Sequence, residues 1–233
     1  MGGLIIKLPY QHNNDEYIWV DKDALVRYDV SSSYFEEYDI VNKIKANAEG
    51  YFDFSKNLID IGACFGCYTV LLDFKHNYCF EPNKKFRAIL NTNTLIHDKV
   101  DNTEIYDCCL ADYAGHVNYN GYCCEGCGGL DDVESTYYCH RHAHEVRTLD
   151  SFNLTDVGFI KIDIEGFEEK ALRGGIGTIV RNNYPPILFE CWDVGYFGMT
   201  QEKHDSLFSF LRGLGYEILE YWGDFETHLA IHK

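Results

Sequence analysis

From Asn57 onward, apolar runs of strand length alternate with segments of helical pattern, and this alternation limits the possible folds more than any other feature. Asn57–Gly62 reads as a buried strand closed by glycine, and Cys67–Phe74 as a helix. Tyr78–Pro82 is a second strand and Asn83–Ile96 a second helix; Glu104–Ala111 is a third strand. Gly115–Leu130 and Glu145–Leu149 read as an inserted antiparallel element. Val157–Ile164 is a fourth strand followed by a helix over Glu165–Gly175. Pro185–Trp192 is a fifth strand, Gln201–Arg212 a helix, and Tyr216–Trp222 with Thr227–Lys233 a closing hairpin. Strands that alternate with helices build a mostly parallel α/β sheet, doubly wound with helices on both faces; the hairpin adds one antiparallel edge. The predicted domain is single and spans 1–233. Its parts are an N-terminal arm and helix at 1–50, a core at 57–190 with an insertion at 116–147, and a terminal helix and hairpin at 200–233. In the arm, Tyr17–Val20 and Ala24–Tyr28 are strand-like; Ser31–Asn47 is a helix with Ser32 or Ser33 as cap and Tyr34, Ile40, Val41 and Ile44 as its apolar stripe.

In such sheets a ligand binds at the carboxyl ends of the strands. The first strand ends in Asp60, and glycines follow in Gly-x-x-x-Gly spacing at Gly62 and Gly66. Glu81 closes the second strand 19 residues after Gly62, where an acid grips ribose hydroxyls. A dinucleotide turn needs glycine where Cys64 stands, so close approach of a pyrophosphate is disfavoured. Asp60 beside the turn suits an ammonium better than a phosphate. The chain carries 20 basic and 37 acidic residues, a formal charge of −17, which repels nucleic acid. S-adenosylmethionine fits these conditions, having a ribose, a sulfonium, an ammonium and no phosphate. A nicotinamide-dependent oxidoreductase is the alternative, and a catalytically silent binding subunit is another.

At the fourth strand, Asp163 and Glu165 would share one face if the strand ran extended to its end, and Gly166 would admit a close backbone approach. Glu168 and Glu169 read as ordinary first-turn acids stabilising the helix dipole. Glu190 closes the fifth strand at the same edge.

Leu58–Thr69, Cys79–Asn83, Arg147–Phe152, Gly158–Gly175 and Pro185–Glu190 occur in the order seen in FkbM-type methyltransferases, which this chain resembles over 57–190. The resemblance implies a Rossmann-like, seven-stranded class I domain and O-methylation of sugars, glycans or small natural products. It implies a cofactor site of Asp60, Gly62, Ala63, Cys64, Gly66, Tyr68 and Glu81, with Ala111 and Asp112 on the adenine side and Asp163 shared with the reaction centre. Cys64 and Phe65 depart from the smaller or polar pair common in the family. Asp163, Glu165, Glu190, His142 and His144 are the candidate bases for the acceptor hydroxyl. Glu37, Tyr122 and Trp192 are the candidate substrate contacts, the two aromatics by stacking on a sugar face. Expected partners are a small-molecule or oligosaccharide acceptor and glycosyltransferases of the same pathway, with no nucleic acid and no membrane.

Cys123, Cys124, Cys127, Cys139, His140, His142 and His144 gather within the insertion. Cys124-x-x-Cys127 with Cys139 and His142 has metal-ligand spacing, and a divalent ion on Asp163 and Glu190 is the other metal alternative. Neither is adopted, because the chain holds ten cysteines scattered without a framework. No signal-like segment and no apolar run of about 18 residues is present, so the expectation is a soluble cytoplasmic protein with reduced thiols.

Overall fold

The structure is a computed structural model, described here over residues 3–7, 17–21, 33–121, 128–130, 140–196, 198–223 and 226–233. β1 (Gly3–Lys7) and β2 (Tyr17–Asp21) pair antiparallel apart from the main sheets. The expected strand at 24–28 lies outside the described residues. Helix α1 (Ser33–Ala46) buries Tyr38, Ile40, Val41 and Ile44. The predicted stripe holds at Ile40, Val41 and Ile44, with Tyr38 joining it; the side chain of Tyr34 lies outside the described residues.

Chain order then runs β3 (Asn57–Ile61), α2 (Cys67–Leu71), β4 (His76–Phe80), α3 (Lys84–Ile96) and β5 (Thr103–Tyr106). A second sheet follows, made of β6 (Cys109–Leu110), β7 (Gly115–Gly121), β8 (Gly128–Leu130) and β9 (His140–Arg147). The main sheet resumes with β10 (Val157–Ile162), α4 (Glu168–Arg173), α5 (Ile176–Arg181), β11 (Ile187–Glu190), α6 (Gln201–Gly213), β12 (Tyr216–Leu219) and β13 (Thr227–His232). Its seven strands lie in the order β12-β13-β11-β10-β3-β4-β5. Only β13 runs antiparallel to its neighbours, seated one place in from the edge strand β12. The expected antiparallel edge is thus the terminal hairpin.

Period-two alternation sorts the two faces. Leu58, Phe159, Leu188 and Leu229 pack beneath α1, α2 and α3, while Ile59, Ile61, Ile160, Ile162, Ile187 and Phe189 pack against α4, α5 and α6. Burying each such side chain stabilises by roughly 2 kcal/mol, which is why the central strands are apolar on both faces.

Three expectations need correction. Glu104–Ala111 is not one strand: the chain leaves the main sheet after Tyr106, Arg87 holds Asp107 at 2.6 Å, and Cys109–Leu110 pairs with β9 instead. The helix after β3 stops at Leu71 because Leu72 turns extended and drops into the core. The helix after β10 starts at Glu168 rather than Glu165, and α5 follows it as a separate helix. Among the described residues no helix is long and apolar enough to cross a membrane.

Candidate active site

The chain builds β3, β4 and β5 outward in one direction, then crosses back to place β10 on the other side of β3. The carboxyl ends of β3 and β10 therefore flank the switch point, where a crevice is expected. The turn after β3 fills one side of it. Gly62 has φ +74, and a Cβ there would stand 1.9 Å from the Asp163 carbonyl oxygen. Gly66, at φ +86, starts α2 with its Cα against Leu90, where a Cβ would sit 2.3 Å from a methyl carbon. Both glycines of the spacing are thus demanded by conformation and by contact. Gly62 and Ala63 donate their N–H groups to the Phe80 carbonyl, tying the turn to β4.

Glu81 continues from β4 and is buried. One of its oxygens accepts the Asn83 N–H at 2.7 Å and the other the Cys64 N–H at 3.0 Å. A carboxylate offers about four lone-pair positions, so positions remain for a pair of ribose hydroxyls. Burial pushes Glu81 up to about 7, against those two hydrogen bonds and the pull of Lys161. Asp60 lies wholly buried; it accepts from Thr69 Oγ1 at 2.6 Å and stands 3.8 Å from Lys161 Nζ. Burial raises its carboxyl as well.

Glu37 arrives from α1 and lies within electrostatic reach of Lys161, Asp163 and Asp60. It therefore stands near the turn after β3, and burial pushes it up to about 7. Tyr68 is buried on the same side, its ring 5.4 Å from Lys161 Nζ. Ala63 is buried with Cys79 and Leu90. Cys64 takes a left-handed φ of 47 at the turn.

The opposite wall carries acids. β10 ends at Ile162, so the extended continuation expected through Glu165 does not occur. Glu165 has φ +59 and Gly166 φ +93, because the chain must turn sharply into α4. Glu168 locks that turn: its Oε1 accepts the N–H groups of Ile164 at 3.0 Å and Gly166 at 3.1 Å. Glu168 stands in the first turn of α4 as expected, and it is also buried, which pushes it up to about 7. Glu169 does pair across the helix surface with Arg173. Despite the turn, ligand oxygens of Asp163, Glu165 and Glu190 lie within 4.8 Å of one another. Burial, and then the charges of Asp163, Glu165 and Glu168, raise the Glu190 carboxyl well above its ordinary range. Asp163 and Glu190 thus stand close enough to face the same ligand atom.

Other expected residues sit on neighbouring segments. Ala111 and Asp112 fall beyond β6; Ala111 is buried with its carbonyl against Gly174, and Asp112 is exposed. His144 lies on β9 with Nδ1 3.8 Å from Asp107, and no described histidine joins the carboxylate cluster. His142 is on the same strand, opposite Tyr119. Trp192 packs partly buried against the core two residues past Glu190. Tyr122, Cys123, Cys124, Cys127 and Cys139 lie outside the described residues.

The residue that the sequence reading missed is Lys161. It interrupts an apolar run, Phe159-Ile160-Lys161-Ile162, and that interruption was the available signal. It is buried, donates to the Gly62 carbonyl at 2.8 Å, and stands 3.5 Å from Asp163. Burial alone would lower it, but Asp163, Asp60 and Glu37 outweigh that and hold it charged.

The family described as "Methyltransferase FkbM domain" matches residues 60–218. No curated protein is similar enough to count as a match. Among solved structures, the methyltransferase FkbM of Methylobacillus flagellatus is 16% identical with a TM-score of 0.56, covering 91% of this chain. The chain spans 56% of that protein's length. The SAH-bound methyltransferase PaMTH1 of Podospora anserina is 11% identical with a TM-score of 0.52, covering 90% of this chain and 84% of its own. An rRNA methylase of Streptococcus thermophilus is 12% identical with a TM-score of 0.51, covering 84% and 97%. These likenesses carry the fold, and the family match sets the nicotinamide-dependent alternative aside. The match takes in the turn after β3, the Glu81 tip, the second sheet and both acid-bearing strand ends, so the chain belongs to the FkbM methyltransferase domain family.

Proposed function

We propose that the protein transfers the methyl group of S-adenosylmethionine to a hydroxyl of a sugar or glycan. The observation that carries this reading is the meeting of Asp163, Glu165 and Glu190 beside the turn of Gly62. The turn and Glu81 fit the cofactor: Glu81 keeps lone pairs for ribose hydroxyls, and the acid-rich wall suits a cation better than a phosphate. When bound, S-adenosylmethionine supplies an already activated methyl, so the protein's work is alignment and proton removal. An alcohol is a weak nucleophile, and the Asp163–Glu190 pair would take its proton as the acceptor oxygen bonds the methyl carbon and the sulfur–methyl bond breaks, leaving S-adenosylhomocysteine. The pair then returns that proton to solvent. Glu165 and its strained turn set the third carboxylate against the acceptor.

The acceptor is read as a small molecule or oligosaccharide, supplied alongside glycosyltransferases of the same route. The charge of −17 supports this against nucleic acid. The described cysteines Cys64, Cys67, Cys79, Cys108, Cys109 and Cys191 are free, which supports a reducing cytoplasmic setting.

Calorimetric titration with S-adenosylhomocysteine, before and after a chelator, tests the cofactor half. Micromolar binding unaffected by chelation is expected, and binding lost on chelation would transfer hydroxyl activation to a metal ion on the three carboxylates. Methyl transfer from labelled S-adenosylmethionine to a panel of sugars, phenols and RNA tests the acceptor half. Label entering RNA alone would overturn it, and cofactor binding without transfer to any acceptor would favour a silent subunit.

A further inference from the structure

We propose that Lys161 is the positioning residue of the cofactor turn, clamping the Gly62 carbonyl from the neighbouring strand. The inference rests on the reading above that the turn receives S-adenosylmethionine.

Lys161 lies directly opposite Asp60 in the β10–β3 register. Both point to the face where Leu58, Phe159 and Leu188 are apolar and buried. A residue serving only the core at this position would be Val, Ile or Leu. A lysine there costs desolvation and ordered side-chain freedom, so its partners must repay it. Those partners come from every element around it: Asp60 on β3, the Gly62 carbonyl in the turn, Tyr68 on α2, Glu37 on α1 and Asp163 at the tip of β10. The hydrogen bond within this set goes to the backbone of the turn, at 2.8 Å, whereas the carboxylates stand at 3.5 and 3.8 Å. The geometry is thus a clamp on Gly62 with two acids as its counter-charges. The Gly62 carbonyl is the peptide group between Gly62 and Ala63. Its orientation sets where the next N–H groups and the Cys64 backbone present themselves to Glu81. Removing the clamp leaves that part-buried carbonyl without its donor, with the peptide then held by the bond from the Ala63 N–H to the Phe80 carbonyl alone.

A clamp of this kind acts on ground-state and transition-state binding alike, so its loss should raise KM for S-adenosylmethionine more than it lowers kcat. Lysine removal alone would strand Asp60 with a buried charge and could unfold the protein. The test therefore uses Asp60→Asn as parent, which removes that charge and leaves an oxygen to accept from Thr69. Adding Lys161→Met to this parent should weaken S-adenosylhomocysteine binding by about tenfold, read by calorimetry. The unfolding midpoint should stay close to that of the parent. A second variant, Lys161→Arg, keeps the charge but replaces a compact ammonium with a planar fork, so it should fold normally and bind about tenfold more weakly than wild type. Affinity equal to the parent for Lys161→Met, and to wild type for Lys161→Arg, would overturn the clamp and reduce Lys161 to a counter-charge. If the wild type itself fails to bind, the cofactor reading fails first, and the inference falls with it.

Discussion

Gly62 and Asp163 meet backbone to backbone across the two central strand ends: a Cβ on Gly62 would stand 1.9 Å from the Asp163 carbonyl oxygen. The turn after β3 and the strand tip that carries the acids are therefore packed as one unit. Gly62→Ala must either rotate out of φ +74 or push the two strands apart. It should cost about 3 kcal/mol, roughly 8 °C in the unfolding midpoint, and abolish detectable S-adenosylhomocysteine binding. Thermal melts with calorimetry check both, and an alanine variant that binds normally would show that the turn is free to relax.

Glu190 separates proton removal from cofactor binding, because it closes β11, two strands away from the turn after β3. Glu190→Gln should lower kcat by about a hundredfold or more, with S-adenosylhomocysteine affinity within a few-fold of wild type. Asp163→Ala should also cut turnover strongly. Unchanged turnover in both variants would remove the carboxylate pair from the mechanism.

Glu81→Gln keeps the shape and one acceptor oxygen but loses the charge that strengthens hydrogen bonds to hydroxyls. Affinity for S-adenosylhomocysteine should fall by about tenfold, with little change in kcat at saturation. The comparison is a steady-state KM against kcat measurement over a range of S-adenosylmethionine concentrations.

Glu168 supplies a pH signature. Its carboxyl ionises near 4.5 when unfolded and is pushed up to about 7 in the fold, by burial. Between those values the folded state holds a proton that the unfolded state has released. Its contribution to stability is therefore complete below about pH 4.5 and is lost as pH rises through about 7. Glu168→Gln still accepts the Ile164 and Gly166 N–H groups but cannot titrate. The variant's midpoint should fall less than the wild type's between pH 5 and 8, on the order of several degrees less. Parallel curves in a pH series of melts would show that Glu168 is ionised in the fold.

Much of the site was legible because its determinants are local. Asp60, Gly62, Gly66 and Glu81 each end or follow a strand, and the Gly-x-x-x-Gly spacing reports a turn whatever surrounds it. The strand extension through Glu165 was misread because the chain turns sharply after Ile162, which an extended-strand extrapolation cannot contain. Glu104–Ala111 was misread because its apolar pattern does not say which sheet each half joins.

The sequence by itself determined the α/β class, the glycine turn after β3 and the acidic character of the strand tips, since these follow from alternation, glycine spacing and residue type. Only the tertiary structure decided that Lys161 reaches Gly62, 99 residues away, that Glu37 comes in from α1, and that Glu190 meets Asp163. The physical reason is strand order. Local patterns specify that β10 is buried on both faces, but its seat beside β3 depends on a crossover whose position no short segment encodes. Once β10 is seated there, a buried lysine and two acids on adjacent strands must satisfy one another, and the site takes its charge from that contact.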